Sequence, residues 1–184
     1  STMTWSWRML AESPDVEARF HAEIDHVLGG RPPVMEDAER LPWTRQIVEE
    51  TLRLYPPAYF FGRETLREIE ILGYRIPPGS QVLLSPFATH RDPRFFPDPE
   101  RFDPERFGAE QRDSRPRNAW FPFGAGPRKC IGERFAVMEA MLVLATIGQH
   151  WRLCAEDAPR PAIDPRITLR PKGGMRLTVR RRRA

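Results

Sequence analysis

Residues 121–136 read FPFGAGPRKCIGERFA, and they set Cys130 after a glycine-containing loop, beside Arg128 and Lys129, directly before a long apolar run. A thiol at a helix start faces unpaired backbone N–H groups and the positive end of the helix dipole, and nearby cations strengthen that field. Each of these favours thiolate over thiol. A thiolate can act as a nucleophile or redox centre, or it can ligate a soft metal. The nucleophile needs a base, and His21, His26, His90 and His150 lie in no recognisable base motif. A buried structural cysteine is the bland alternative, and it needs neither the glycines nor the basic pair.

Ligation uses all of the flanking residues. Gly124, Gly126 and Gly132 remove side chains where the backbone would approach something flat and bulky. Phe121 and Phe123 can wall one side, and Arg128 can pair with carboxylates on the ligand's rim. Haem is planar and carries such carboxylates.

The elements that must position this loop follow from composition. With 184 residues, the chain makes one or two domains. Two cysteines are too few for a disulfide framework and lack zinc-site spacing, which points to a reducing, cytoplasmic setting, although one Cys130–Cys154 bridge stays open. No run reaches the ~20 apolar residues of a membrane span, and the first residues lack signal-peptide order. The expectation is a soluble chain. The net charge of +4 is concentrated in Arg180 to Arg183 and in scattered arginines rather than in a stripe interleaved with aromatics, so nucleic acid is not an expected partner.

Twenty prolines, unevenly placed, divide the chain. Residues 1–12 read as the end of a helix. A second helix over 14–28 has Ser13 as N-cap, Pro14 at its first position, Val16, Phe20, Ile24, Val27 and Leu28 on one face, and a glycine stop. A third, 43–54, ends at Pro56 and Pro57. Residues 59–85 read as a small antiparallel sheet, 91–120 as an ordered, proline-rich meander, and 121–130 as the cysteine loop. The run 131–149 is apolar on almost every face and predicts a helix buried all round. Residues 166–180 predict a hairpin turning at Pro171 to Gly174. No repeats are present. The fold class is mainly α with small antiparallel sheets, α+β.

FGAGPRKCIG, within this loop, resembles the haem-binding loop of the cytochromes P450, with phenylalanine, glycines, arginine and cysteine in register. The resemblance implies that Cys130 is the axial ligand of the iron of haem b, iron protoporphyrin IX, and that Phe123 packs against the thiolate side. It implies close backbone approach at Gly124 and Gly132, and propionate contacts from Arg128 and Arg63. Glu50 and Arg53, in EETLRLYPP, match the family's Glu-x-x-Arg pair, which joins an arginine of a Pro-Glu-Arg-Phe segment. Two such segments occur, containing Arg101 and Arg106, and position relative to the loop favours Arg106. Substrate contacts fall on Ala58, Tyr59, Phe60 and Ile167, whose apolar character suggests a lipophilic small molecule. Only the C-terminal part of the family's sequence is covered, and the acid–threonine pair that delivers protons falls just before Ser1. No certain catalytic residue is therefore expected in this chain, and the chain alone is expected to hold haem poorly and to be inactive.

The implied activity is a monooxygenase fed by a reductase or ferredoxin that docks near Arg128, Lys129 and Arg134. A haem-thiolate peroxygenase or isomerase, and a non-catalytic haem-binding fragment, are the alternatives. Membrane attachment through a preceding N-terminal segment stays open.

Overall fold

The computed structural model describes residues 1–156 and 158–182. Three helices open the chain: α1 (Thr2–Glu12), α2 (Pro14–Leu28) and α3 (Pro42–Leu54), the last two each beginning with proline at the first turn. Gly29 ends α2 in the left-handed conformation at φ 56°, which a residue with a Cβ adopts only at a cost. Ser13 does not cap through its hydroxyl; its carbonyl instead accepts from the Glu17 amide at 2.9 Å.

Two short ribbons follow. β1 (Phe61–Glu64) pairs antiparallel with β4 (Gln81–Leu84), and the tighter β2 (Ile69–Ile71) and β3 (Tyr74–Ile76) pair between them. The single sheet expected over 59–85 is therefore two separate ribbons, because residues 65–68 and 77–80 carry the chain across without joining the ladders. Thr65 stands at this junction, donating through its hydroxyl to the Pro77 carbonyl at 2.6 Å.

The short helix α4 (Pro86–Thr89) enters the meander, which holds α5 (Ala109–Asp113) and leads through the cysteine loop into α6 (Glu133–His150). Phe20, Ile24 and Leu28 of α2, Ile47, Val48 and Leu52 of α3, and Met141 and Leu144 of α6 form the main core. Each fully buried side chain of this size contributes roughly 1.5–3 kcal/mol. Gly148 lets α6 approach α2, since a Cβ there would sit 2.6 Å from Phe20 Cε1. A second cluster joins Trp5 to Tyr55, their rings stacked at 3.8 Å.

Two expectations are corrected. Helix α6 is not buried all round: Val137, Ala140, Met141, Leu144, Ala145 and Gly148 face the core, while Phe135 is 64% exposed and Val143 is also exposed. Only one side of α6 meets α1, α2 and α3, so its other apolar face has no partner among the described residues. The C-terminal hairpin also fails to form. The Pro171–Gly174 turn closes, but β7 (Leu169–Pro171) pairs back with β6 (Ile163–Pro165), and β8 (Thr178–Arg181) pairs with β5 (Trp151–Cys154). Met175 and Leu177 pack against different clusters and draw the two arms apart.

Candidate functional site

Glu50 and Arg53 lie one turn apart on α3, and both are fully buried. Arg53 donates through Nε and Nη2 to the two Glu50 carboxylate oxygens at 2.6 and 2.8 Å. Its remaining N–H groups reach the carbonyls of His90, Pro99 and Arg101 at 2.8, 2.6 and 3.0 Å. All of its donors are thereby used, which is what makes a buried guanidinium tolerable. Glu50 also accepts from the Asp103 amide at 2.9 Å and faces Arg106 Nε at 3.6 Å. Burial holds the Glu50 carboxyl above the usual carboxylate range, against the opposing pull of Arg53, the Asp103 amide and Arg106. Of the two Pro-Glu-Arg-Phe segments, the second supplies the buried arginine, Arg106, whereas Arg101 is exposed and contributes only its carbonyl. One α3 side chain therefore ties down three points of the meander.

The cysteine loop is held at its start and its end. The Phe121 amide donates to His90 Nε2 at 2.9 Å, the Gly124 amide to the Phe121 carbonyl at 3.0 Å, and the Cys130 amide to the Phe123 carbonyl at 2.9 Å. Gly124 and Gly126 stand at φ 76° and 70°, the left-handed region that glycine enters freely. Phe123 packs on the main core, and the Phe121 ring meets Phe61 of β1 at 5.9 Å. Strand β1, which carries Arg63, is thereby set against the loop. Gly132 precedes α6 as its N-cap, and Cys130 stands exposed just before it. Cys154 is buried, and both thiols are free, so the Cys130–Cys154 bridge left open by the sequence does not exist.

The surroundings of Cys130 suit a flat, largely apolar group with an acidic edge. Ile131 is fully exposed, and Phe135 and Phe60 are more than 40% exposed, an unfavourable display of apolar surface unless something covers it. Arg128 and Arg63 are exposed and pair with no carboxylate among the described residues; Arg63 donates only to the Gly62 carbonyl at 2.8 Å. Lys129 differs, since it pairs with Glu133 at 2.5 Å and its charge is partly compensated. A thiol, two cations without a carboxylate partner among the described residues and a bare apolar rim thus lie on elements packed against one another.

The expected substrate residues gather just beyond the C-terminal end of α3. Tyr59 donates its hydroxyl to the Arg166 carbonyl at 2.8 Å, and the Leu169 amide donates to the Pro57 carbonyl at 3.0 Å. This brings Ala58, Tyr59 and Phe60 beside the loop that carries Ile167, itself 97% exposed. A cavity of about 840 Å³ opens nearby, lined by Ser1, Thr2, Thr4, Pro57, Thr168 and Arg170 among others, but by none of the four expected substrate residues.

Sequence reasoning missed His90, whose imidazole is wholly buried between Phe96, Trp120 and Phe121. No local signal marks it, because THRDP reads only as a turn and its partner lies 31 residues on. Arg180 and Arg182 of the basic tail pair with Glu156 and Asp25. Among the described residues, no helix is long and apolar enough to cross a membrane.

Comparison with known proteins matches residues 1–178 to the family described as cytochrome P450. The chain is 46% identical over 179 residues to cyclooctatin synthase of Streptomyces melanosporofaciens, covering 97% of this chain and 37% of that protein. Cyclooctat-9-en-7-ol 5-monooxygenase of the same organism is 46% identical over 153 residues, 83% of this chain and 33% of the relative. Human cytochrome P450 4V2 is 38% identical over 187 residues, 100% of this chain and 36% of the relative. The chain thus spans little more than a third of the length of these relatives.

Proposed function

The chain belongs to the cytochrome P450 family, and on that premise we propose that it supplies the cysteine side of the haem site in a monooxygenase acting on an apolar organic substrate. The activity proposed for the whole protein inserts one atom of O2 into the substrate and reduces the other to water, with electrons from a reductase or ferredoxin. The carrying observation is Cys130, exposed at the entry to α6, its amide held by the Phe123 carbonyl, with Arg128 two residues before it and Arg63 on the strand set against the loop, neither paired with a carboxylate among the described residues. The match to a protein named a monooxygenase supports the reaction class.

Bound haem b supplies the oxygen-activating iron, which the protein tunes through the axial thiolate and its surroundings. Cys130 would ligate that iron, its exposed sulfur set at the entry to α6 beside Arg128. Phe123 would pack on the sulfur side, with Gly124 and Gly132 allowing close approach of the backbone, and Arg128 and Arg63 would pair with the propionates. Glu50, Arg53 and Arg106 act at a distance by fixing the meander. Ala58, Tyr59, Phe60 and Ile167 would present apolar surface to a lipophilic substrate. Arg128 and Arg134, more than the paired Lys129, would meet an acidic redox partner.

The ferrous–CO difference spectrum of the whole, haem-loaded protein tests this. The long-wavelength band that gives the family its name is expected, and Cys130→Ser should abolish it. Persistence of the band in Cys130→Ser would overturn the ligand assignment.

A further inference from the structure

We propose that His90 is a positioning residue for the cysteine loop: its imidazole holds the Phe121 amide and passes to Cys130 the placement that Arg53 imposes on the His90 main chain. The inference rests on the reading of Cys130 as the iron ligand and adds His90 to the residues that place it.

The geometry is a relay of hydrogen bonds between fixed groups. Arg53, wholly buried, donates to the His90 carbonyl at 2.8 Å. The imidazole of the same residue accepts from the Phe121 amide at 2.9 Å. From Phe121 the relay continues through its carbonyl to the Gly124 amide at 3.0 Å, and the Phe123 carbonyl receives the Cys130 amide at 2.9 Å. An amide can only donate here, so His90 Nε2 must be the unprotonated ring nitrogen and the proton sits on Nδ1. Changing the tautomer would set a donor against a donor, and reversing the ring would set a carbon there in place of the acceptor.

Packing restricts reversal of the ring. The ring is wholly buried, stacked near Trp120 at 6.4 Å and edge-on to Phe121 and Phe96 at 5.4 and 6.2 Å. Nδ1 has no partner among the described residues, so the bond accepted by Nε2 is the ring's one polar contact there. Main-chain bonds hold the loop at Gly124 and Cys130, but at Phe121 the acceptor is this side chain. With no acceptor there, a buried N–H is left unsatisfied and the loop can regain solvation only by shifting.

Two variants of the whole, haem-loaded protein separate positioning from bulk. His90→Phe keeps a buried ring and removes the acceptor, whereas His90→Gln places an amide oxygen near the Nε2 position. In the ferrous–CO spectrum, His90→Phe should lower the ratio of thiolate-type to other haem species about tenfold, as loss of one buried hydrogen bond implies. His90→Gln should restore that ratio to within about twofold. Amide hydrogen exchange between Phe121 and Cys130, measured without haem, should quicken in His90→Phe and return towards the unaltered rate in His90→Gln. Equal loss in both variants, or an unaltered spectrum and unaltered exchange in both, overturns the proposal. If the unaltered protein shows no thiolate-type band, the ligand assignment falls, while the exchange data still decide whether His90 holds the loop.

Discussion

Replacing Glu50 by alanine would strand a guanidinium that has no route to solvent. Arg53 is wholly buried and keeps three carbonyl contacts to the meander, so it cannot swing outward when its carboxylate disappears. The variant loses two charge-assisted hydrogen bonds from Arg53, the acceptor of the Asp103 amide and the counter-charge 3.6 Å from Arg106 Nε. Removing one partner of a buried ion pair costs about 3–5 kcal/mol, and an unsatisfied buried amide adds roughly 1 kcal/mol or more. The expected loss is therefore on the order of 4–6 kcal/mol, a large part of a domain's typical stability of about 5–15 kcal/mol. Urea unfolding of the whole protein, followed by tryptophan fluorescence alongside haem retention, reads it. Arg94→Ala serves as the control, because the Arg94 side chain is largely exposed and its removal should change stability by no more than about 1 kcal/mol. If Glu50→Ala costs no more than that control, the network is not what holds the meander, and the reasoning fails.

Acid sensitivity follows from two buried imidazoles. Burial, with nearby arginines, pushes His90 down to about 3 and His21 down to about 4, both from 6.5. Below pH 6.5 the unfolded chain takes up these protons while the folded chain does not, so stability present above that pH is lost as the pH falls. Between about pH 7 and pH 5 the His90 share is roughly 2 kcal/mol, and urea midpoints of His90→Gln should show a correspondingly shallower slope. Gly148→Ala should destabilise by about 1–3 kcal/mol in thermal unfolding despite alanine's better helix propensity, since its Cβ would lie 2.6 Å from Phe20 and 3.0 Å from Ile24, which are both wholly buried. A neutral or stabilised Gly148→Ala would mean that α2 and α6 are not in such close contact.

Much of this architecture is legible because its signals act within a few residues. Pro14 with the Gly29 stop, and Pro42 with the Pro56–Pro57 break, mark helices through dihedral restrictions that need no tertiary partner. The glycines of the cysteine loop, two of them left-handed, likewise declare themselves by residue type. Helix α6 was misjudged because apolar content records what a helix can bury, and its Phe135 face finds no neighbour among the described residues. The C-terminal strands were misassigned because a turn sequence specifies a reversal, and long-range packing of Met175 and Leu177 then chose other partners.

The sequence alone marked Cys130 as the candidate ligand, since a cysteine, its cations, its glycines and the following helix are neighbours in the chain. Tertiary structure decided what holds its loop in place. Arg106 rather than Arg101 faces Glu50, and His90 meets Phe121, through contacts 56 and 31 residues apart in sequence. Burial makes those polar contacts obligatory, and burial is set only when α3, the meander and the cysteine loop have packed together.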